Sequence, residues 1–271
     1  STPKPSSAAS DVYKRQQHID AMEWAKLSVL HWHIVDSQAF PFKGDAVPAL
    51  AQGAWSSQET YSAADVSSIV AYAKDRAVRV MIEVDTPGHS AAWGVGVPDV
   101  IPDCPGIDGG RIALDPTRNE TYATVEALLG ELGTLAPDPF FHLGGNEVRP
   151  DCRTASARVQ AFMKAKGFTT IGEVENFYFS KLLGEVVPAA LGASRKVVIY
   201  QEVFDNNVTL PAAAVIDVWK AGRGKPGDVG YTRPIPEEIA AIVKAGHSVV
   251  LANGNDRNWY LNDGWGNSNV N

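Results

Sequence analysis

The sequence predicts an α/β fold, a (β/α)8 barrel that lacks its first and last strands. Three observations carry this reading. Apolar, strand-like runs alternate with stretches of helical period, which implies parallel βαβ units. Six such strand–helix units follow one another with no linker between them. Polar and aromatic residues recur just past the C-terminal ends of these strands, where barrels of this kind hold their active sites. A doubly wound sheet is the alternative.

The elements run in order as follows. Residues 1–16 are rich in Ser, Ala, Pro and Lys without apolar period, and read as a disordered or foreign tail. Residues 17–271 read as one incomplete barrel domain. Ile19, Met22 and Ala25 suggest a helix from Gln17 to Lys26, and Leu27 to Val35 a strand ending at Asp36. Val66, Ile69, Val70 and Ala73 recur at helical spacing. Val78 to Val84 is the next strand, followed by Asp85 and His89. A loop rich in Gly, Pro and Asp covers about 94–115. Val125, Leu128, Leu129 and Leu132 mark one face of a helix over 121–135. Residues 156–166, 173–187 and 236–245 read as helices. Strands are expected at Lys196–Tyr200, Val215–Trp219 and Ser248–Ala252.

The stretch Pro139 to Val148 organises the rest. An apolar run breaks at Gly144-Gly145 and ends on Asn146-Glu147. Paired glycines permit positive φ where a side chain would forbid it. Such a break at the end of a buried strand points neighbouring side chains into one cleft. Glu147 is therefore the candidate acid, and Asn146 occupies a place where a second carboxylate would be expected. At the same level lie Asp36, Asp85, His89, Tyr200, Glu202, Trp219, Trp259 and Tyr260. An aromatic-lined pocket with a few carboxylates suits a sugar, whose C–H faces stack on rings. His31, His33 and His142 read as structural rather than metal-ligating. Glu202 reads as a hydrogen-bonding support. Trp55 and Trp93 read as core or loop packing, and Asp85 has the alternative of capping the helix that follows it.

Composition bounds the rest. With 45% apolar and 20% charged residues the chain is of ordinary globular type. A net charge of -7 without a basic stripe argues against nucleic acid. No apolar run approaches a membrane span. The two cysteines, Cys104 and Cys152, are either free thiols or one disulfide in an oxidising compartment. Sequons at Asn119 and Asn207 favour that compartment and mark candidate glycosylation sites.

The segments LHWHIVDSQAFP, RVMIEVDTPGHSAAWG, LDPTRNETY, FFHLGGNEV, YQEVFDNNV, VIDVW and NWYLN resemble, in type and order, glycoside hydrolase family 20. Within it the chain is similar to the eukaryotic lysosomal or secreted β-N-acetylhexosaminidases. The resemblance implies a retaining, exo-acting enzyme that removes terminal GlcNAc or GalNAc from glycans, glycoconjugates or chitin oligomers. It implies no metal, no organic cofactor and no protein nucleophile, because the substrate's own acetamido oxygen attacks the anomeric carbon. Carried over by residue, Glu147 is the general acid/base, and Asn146 replaces the aspartate that orients the acetamido group. Asp36 and His89 form a carboxylate–histidine pair behind the acid, with Asp85 in the same network. Trp219 and Trp259 line the pocket, Tyr260 binds the acetamido carbonyl and Asn262 a sugar hydroxyl. Tyr200 stands where tryptophan is usual. Cys104 and Cys152 match a disulfide of the eukaryotic members.

The resemblance also leads one to expect an arginine at the end of a first strand, and a tryptophan and glutamate in a last one, that find no match in these residues. The loss of charge at Asn146 is expected to cripple the activity, with a weakly catalytic or inactive carbohydrate-binding homologue as the alternative. Family members often dimerise, so a homodimer is the candidate assembly.

Overall fold

The computed structural model describes residues 7–104, 106–107, 111–220 and 233–252. Its centre is a six-stranded, wholly parallel sheet in the order β1 (Val29–Val35), β4 (Arg79–Val84), β5 (Phe140–His142), β6 (Lys196–Tyr200), β7 (Val215–Val218) and β8 (Ser248–Leu251). Two short strands, β2 (Phe42–Lys43) and β3 (Tyr61–Ser62), pair separately in the loop after β1. Among the described residues β1 and β8 are the sheet's edges. The six predicted strands are all present, each within two residues of its expected ends.

Alternation along the strands builds two different faces. One carries Val80, Ile82 and Val84 of β4, Phe141 of β5, Val197 and Ile199 of β6, and Ile216 and Val218 of β7, all buried in the main hydrophobic core. Onto it pack α2 (Ala63–Lys74), through Val66, Ile69 and Ala73, and α4 (Asn119–Leu135), through Val125, Leu128, Leu129 and Leu132. The opposite face carries His31 and His33, Glu83, His142, Tyr200 and Asp217. Met81, Val198 and Val215 share that face, so the polar residues are set among apolar ones within the strands.

Local chemistry sets the helix limits. Ser62 and Asp65 form a reciprocal capping box at the start of α2, which supplies partners to two orphan amides. Thr170 and Glu173 do the same for α7 (Ile171–Lys181). Ser156 caps α6 (Ala157–Lys166), separating it from the short α5 (Asp151–Ala155), and Gly167 ends it in the left-handed region. The helix expected over 173–187 is interrupted: a π turn at Leu182–Val186 lies between α7 and α8 (Val187–Leu191). Pro188 has no amide to give to the carbonyl four residues back, so the ladder loosens there. α9 (Gln201–Asp205) directly follows β6, and α10 (Ile235–Lys244) begins with Glu237 and Glu238 in its first turn, favourable for the helix dipole.

Three expectations need correction. The first helix, α1 (Ser7–Trp24), starts at Ser7 rather than Gln17, inside the segment read as a tail. Ala8, Ala9, Lys14, Arg15 and Gln16 are good helix formers, and Val12 joins Ile19 and Met22 against the core. The loop over 94–115 contains α3 (Trp93–Gly96) and a 3-10 turn at Pro98–Val100. Trp93 is fully buried and meets Phe40 edge-on at 5.4 Å, as the packing reading requires. Trp55 does not pack: it is 79% exposed.

A disulfide joins Cys104, in the loop after β4, to Cys152 of α5, with Cα atoms 5.0 Å apart. It ties together the two segments that follow β4 and β5. No helix among the described residues is long and apolar enough to cross a membrane.

Candidate active site

The loops at the C-terminal ends of β1, β4 and β5 bring the predicted acid and its supports together. After β5 the chain turns through Gly144 and Gly145, with φ of 71° and 99°. A Cβ on Gly144 would overlap Asp85 Oδ1 and Cα; one on Gly145 would run into Val203 and Phe179. The turn is thus both left-handed and tightly enclosed, and only glycine fits. The Gly145 N–H donates to Asp85 Oδ1 at 2.8 Å, and the Gly144 N–H to His142 Nδ1 at 3.0 Å. Asp85 therefore ties the turn down and does not cap the following helix.

This turn delivers Glu147, itself at φ 48°, with its side chain half exposed. His89 also takes a positive φ, 51°. Non-glycine residues rarely sit there, and such positions cluster at functional sites. His89 Nε2 lies 3.7 Å from Glu147 Oε2 and 3.6 Å from Asp85 Oδ2. On its far side His89 Nδ1 is 2.9 Å from Asp36 Oδ1. The predicted pair of Asp36 and His89 thus stands directly behind Glu147.

Charge reinforces this geometry. Burial works against a charged His89, but the Asp36 hydrogen bond and the charges of Asp85 and Asp36 outweigh it and raise the imidazole to about 9. Burial likewise opposes the Asp36 carboxylate, yet the His89 bond and charge hold it below its usual range. Asp85, fully enclosed and near the charge of Glu83, is pushed up to about 8. Neighbouring carboxyl groups are thus driven apart in proton affinity, the pattern that separates roles in acid–base sites.

Glu83 is a site residue that reading the sequence missed. It is fully buried, and its oxygens lie 2.5 Å from His31 Nε2, 3.3 Å from His33 Nδ1 and 3.5 Å from His142 Nδ1, and accept from the Tyr200 hydroxyl at 3.3 Å. Burial disfavours its charge, but the imidazoles of His142, His31 and His33 hold it well below the usual carboxylate range. Asp217, also missed, lies 3.5 Å from His142 Nε2. The signal was present: an acid at an inward position of RVMIEV and of VIDV has no place in a strand unless it is paired.

Two sets of potential metal ligands exist among the described residues, His31 with Glu83 and His142, and His33 with Glu83 and Asp85. They share Glu83, whose oxygens already face imidazoles and a phenol.

Towards β6 and β7 the wall becomes aromatic. Tyr200 meets His142 edge-on at 4.6 Å and Trp219 at 6.3 Å. Glu202 accepts from the Glu147 N–H at 3.3 Å and the Trp219 indole at 3.0 Å, and pairs with Lys220 Nζ at 2.6 Å, so it serves as the support expected. Asn146 is half-buried, and its Oδ1 is buried without a hydrogen-bond partner among the described residues. Trp259, Tyr260 and Asn262 lie outside the described residues.

A half-exposed carboxyl group backed by an imidazole–carboxylate pair, at the C-terminal ends of parallel strands, is the arrangement of an acid–base site on a barrel-type α/β fold. Comparison with known proteins then fixes the family. Residues 10–271 match the model of the glycosyl hydrolase family 20 catalytic domain. The chain belongs to glycoside hydrolase family 20, whose catalytic domains are TIM barrels. It is 35% identical over 248 residues to human beta-hexosaminidase subunit beta, covering 90% of this chain and 41% of that one. Rat beta-hexosaminidase subunit alpha is 36% identical over 251 residues, covering 90% and 44%. The fold resembles Flavobacterium johnsoniae chitobiase, with a TM-score of 0.74, 25% identity, and coverage of 90% and 36%. The chain therefore spans less than half the length of these relatives. The described sheet supplies six of a barrel's eight strands.

Proposed function

We propose that this chain carries the acid–base half of a retaining β-N-acetylhexosaminidase, weakened at one position. The observation that carries the reading is the line Asp36–His89–Glu147, set on a strained turn beside Asn146. Glu147 is the general acid: half exposed, it can give its proton to the leaving glycosidic oxygen. The family belongs to the substrate-assisted exceptions to the two-carboxylate scheme, so the acetamido oxygen, not a protein group, attacks the anomeric carbon. The resulting oxazolinium-type intermediate is opened by water, with Glu147 now acting as base and the configuration retained.

Asn146 offers a buried oxygen without a partner among the described residues, suited to accept the acetamido N–H. It brings no negative charge to the cation that develops there, and electrostatic support of that kind is often the largest catalytic contribution. Tyr200 and Trp219 supply the aromatic wall, and Trp259, Tyr260 and Asn262 are proposed to complete the sugar site. Substrates are terminal β-linked GlcNAc or GalNAc on glycans, glycoconjugates or chitin oligomers. The disulfide and the exposed Asn119 and Asn207 sequons support a lysosomal or secreted glycoprotein; its relatives are named as subunits, which supports an oligomer, and a homodimer is the assembly proposed.

The neutral Asn146 also favours a second reading, a carbohydrate-binding homologue with little catalysis. A chromogenic β-GlcNAc substrate separates the two. Turnover of that substrate supports the enzyme; saturable binding without turnover supports the binder.

A further inference from the structure

Behind the line from Asp36 to Glu147 lies a second, deeper set of contacts that the acid–base reading does not use. Glu83 sits at its centre. In the sheet register it stands opposite both His33 of β1 and His142 of β5. These three residues and Tyr200 come from four adjacent strands. Glu83 is fully buried and makes close contacts with three imidazoles and a phenol, so the polar layer it holds crosses the interior of the sheet.

Two arms leave this centre, and both end at Glu147. In the first, His33 faces Glu83 at 3.3 Å through Nδ1 and Asp36 Oδ2 at 3.5 Å through Nε2, while Asp36 Oδ1 meets His89, which meets Glu147. Carboxylate and imidazole alternate along the whole arm, so each charge has an opposite neighbour. The second is of another kind: His142 Nδ1 lies 3.5 Å from Glu83 but holds no proton for it, because it accepts the Gly144 N–H. That bond holds the turn on which Asn146 and Glu147 are mounted. His31 stacks on His142 at 4.6 Å between ring centroids and closes the group.

We propose that Glu83 is a positioning residue of this site: through His33 it fixes the carboxylate–imidazole line behind Glu147, and its charge bears on His142, whose bond to Gly144 holds the turn that presents the acid. Its effect on turnover rests on the glycosidase reading above; its effect on the imidazoles does not. The groups facing it are His31 and His33 from β1, Asp85 beyond its own strand, His142 from β5 and Tyr200 from β6, with Asp36, His89 and Asp217 one contact further out. A charge buried among several imidazoles cannot be removed without changing where their protons reside.

The test is imidazole NMR on the full chain with no sugar present, following ring nitrogen and carbon shifts against pH. In the unmutated chain His33 is expected to keep both ring protons well above neutrality, since Glu83, Asp85 and Asp36 surround it and raise it to about 9. In Glu83→Gln, of nearly the same shape but uncharged, the His33 titration should move down by more than about one pH unit, and the His142 ring signals should change. A Glu83→Gln chain with its native circular dichroism and unchanged His33 and His142 signals overturns the proposal. Where that variant does not fold, the unmutated chain decides: a His33 ring already neutral at pH 7.5 overturns it equally. Hexosaminidase turnover plays no part in either outcome, so failure of the activity assay leaves this test intact.

Discussion

The two sides of the sheet differ in how they are built. From β1 to β5, carboxylates and imidazoles interlock at 2.5–3.7 Å, inside loops held by enclosed glycines and a disulfide. From β6 to β8 the inner wall turns aromatic, and at the far edge Val250 and Leu251 are about half exposed. The difference teaches that proton transfer and sugar binding make different structural demands. An acid needs its partners fixed to fractions of an ångström, and contiguous strands provide this. A sugar wall needs area, and it can be gathered from separate segments.

That contrast can be broken at several points. The largest effect should come at the acid itself. In a chain carrying Asn146→Asp, Glu147→Gln should lower kcat by about 10²–10⁴ for a poor leaving group and by much less for a nitrophenolate, which departs without a proton. Equal losses for both aglycones would contradict the acid role. Next, Asp36→Asn in the same background should cost about 10–100-fold in kcat with little change in KM, as expected for a partner that orients a working group. A change confined to KM would place Asp36 in sugar binding instead.

Stability gives smaller but sharper tests. Gly144→Ala puts a Cβ into Asp85 at a positive φ. Chemical denaturation should show a loss of about 2 kcal/mol or more, whereas Val250→Thr on the exposed edge should stay within about 0.5 kcal/mol. Comparable losses at both would erase the distinction between the two sides.

The smallest effect is the pH dependence of folding. His33 and His89 are raised from 6.5 to about 9, and Asp85 from 3.8 to about 8. Each binds its proton more tightly folded than unfolded, so each contribution is full below the unfolded value and is lost as pH rises through the folded one. Asp36 is depressed and acts oppositely, its contribution being lost as pH falls through its folded value. Melting temperature should therefore fall from about pH 6.5 to about pH 9, and His89→Gln should flatten that fall. A profile rising with pH over this range would contradict the assigned interactions.

Much of this was legible in the sequence, for physical reasons. The strands showed themselves through apolar runs, and the turn through Gly144-Gly145. Glu147, Asp36 and His89 stood out because they lie just past strand ends. Glu83 and Asp217 were hidden because a single acid within an apolar strand looks like a flaw until its partners on other strands are known. The start of α1 was obscured because its helix formers carry almost no apolar period before Val12. Trp55 could not be placed because an aromatic residue in a loop gives no sign of which way it faces.

The central claim is that Asn146 removes the charge from an otherwise assembled acid–base site. It is tested by kcat on a chromogenic β-GlcNAc substrate, for this chain and for Asn146→Asp prepared alongside. The structure leads us to expect a gain of roughly two to four decades on restoring the carboxylate. Rates within a few-fold of each other, or no turnover in either chain, would contradict it.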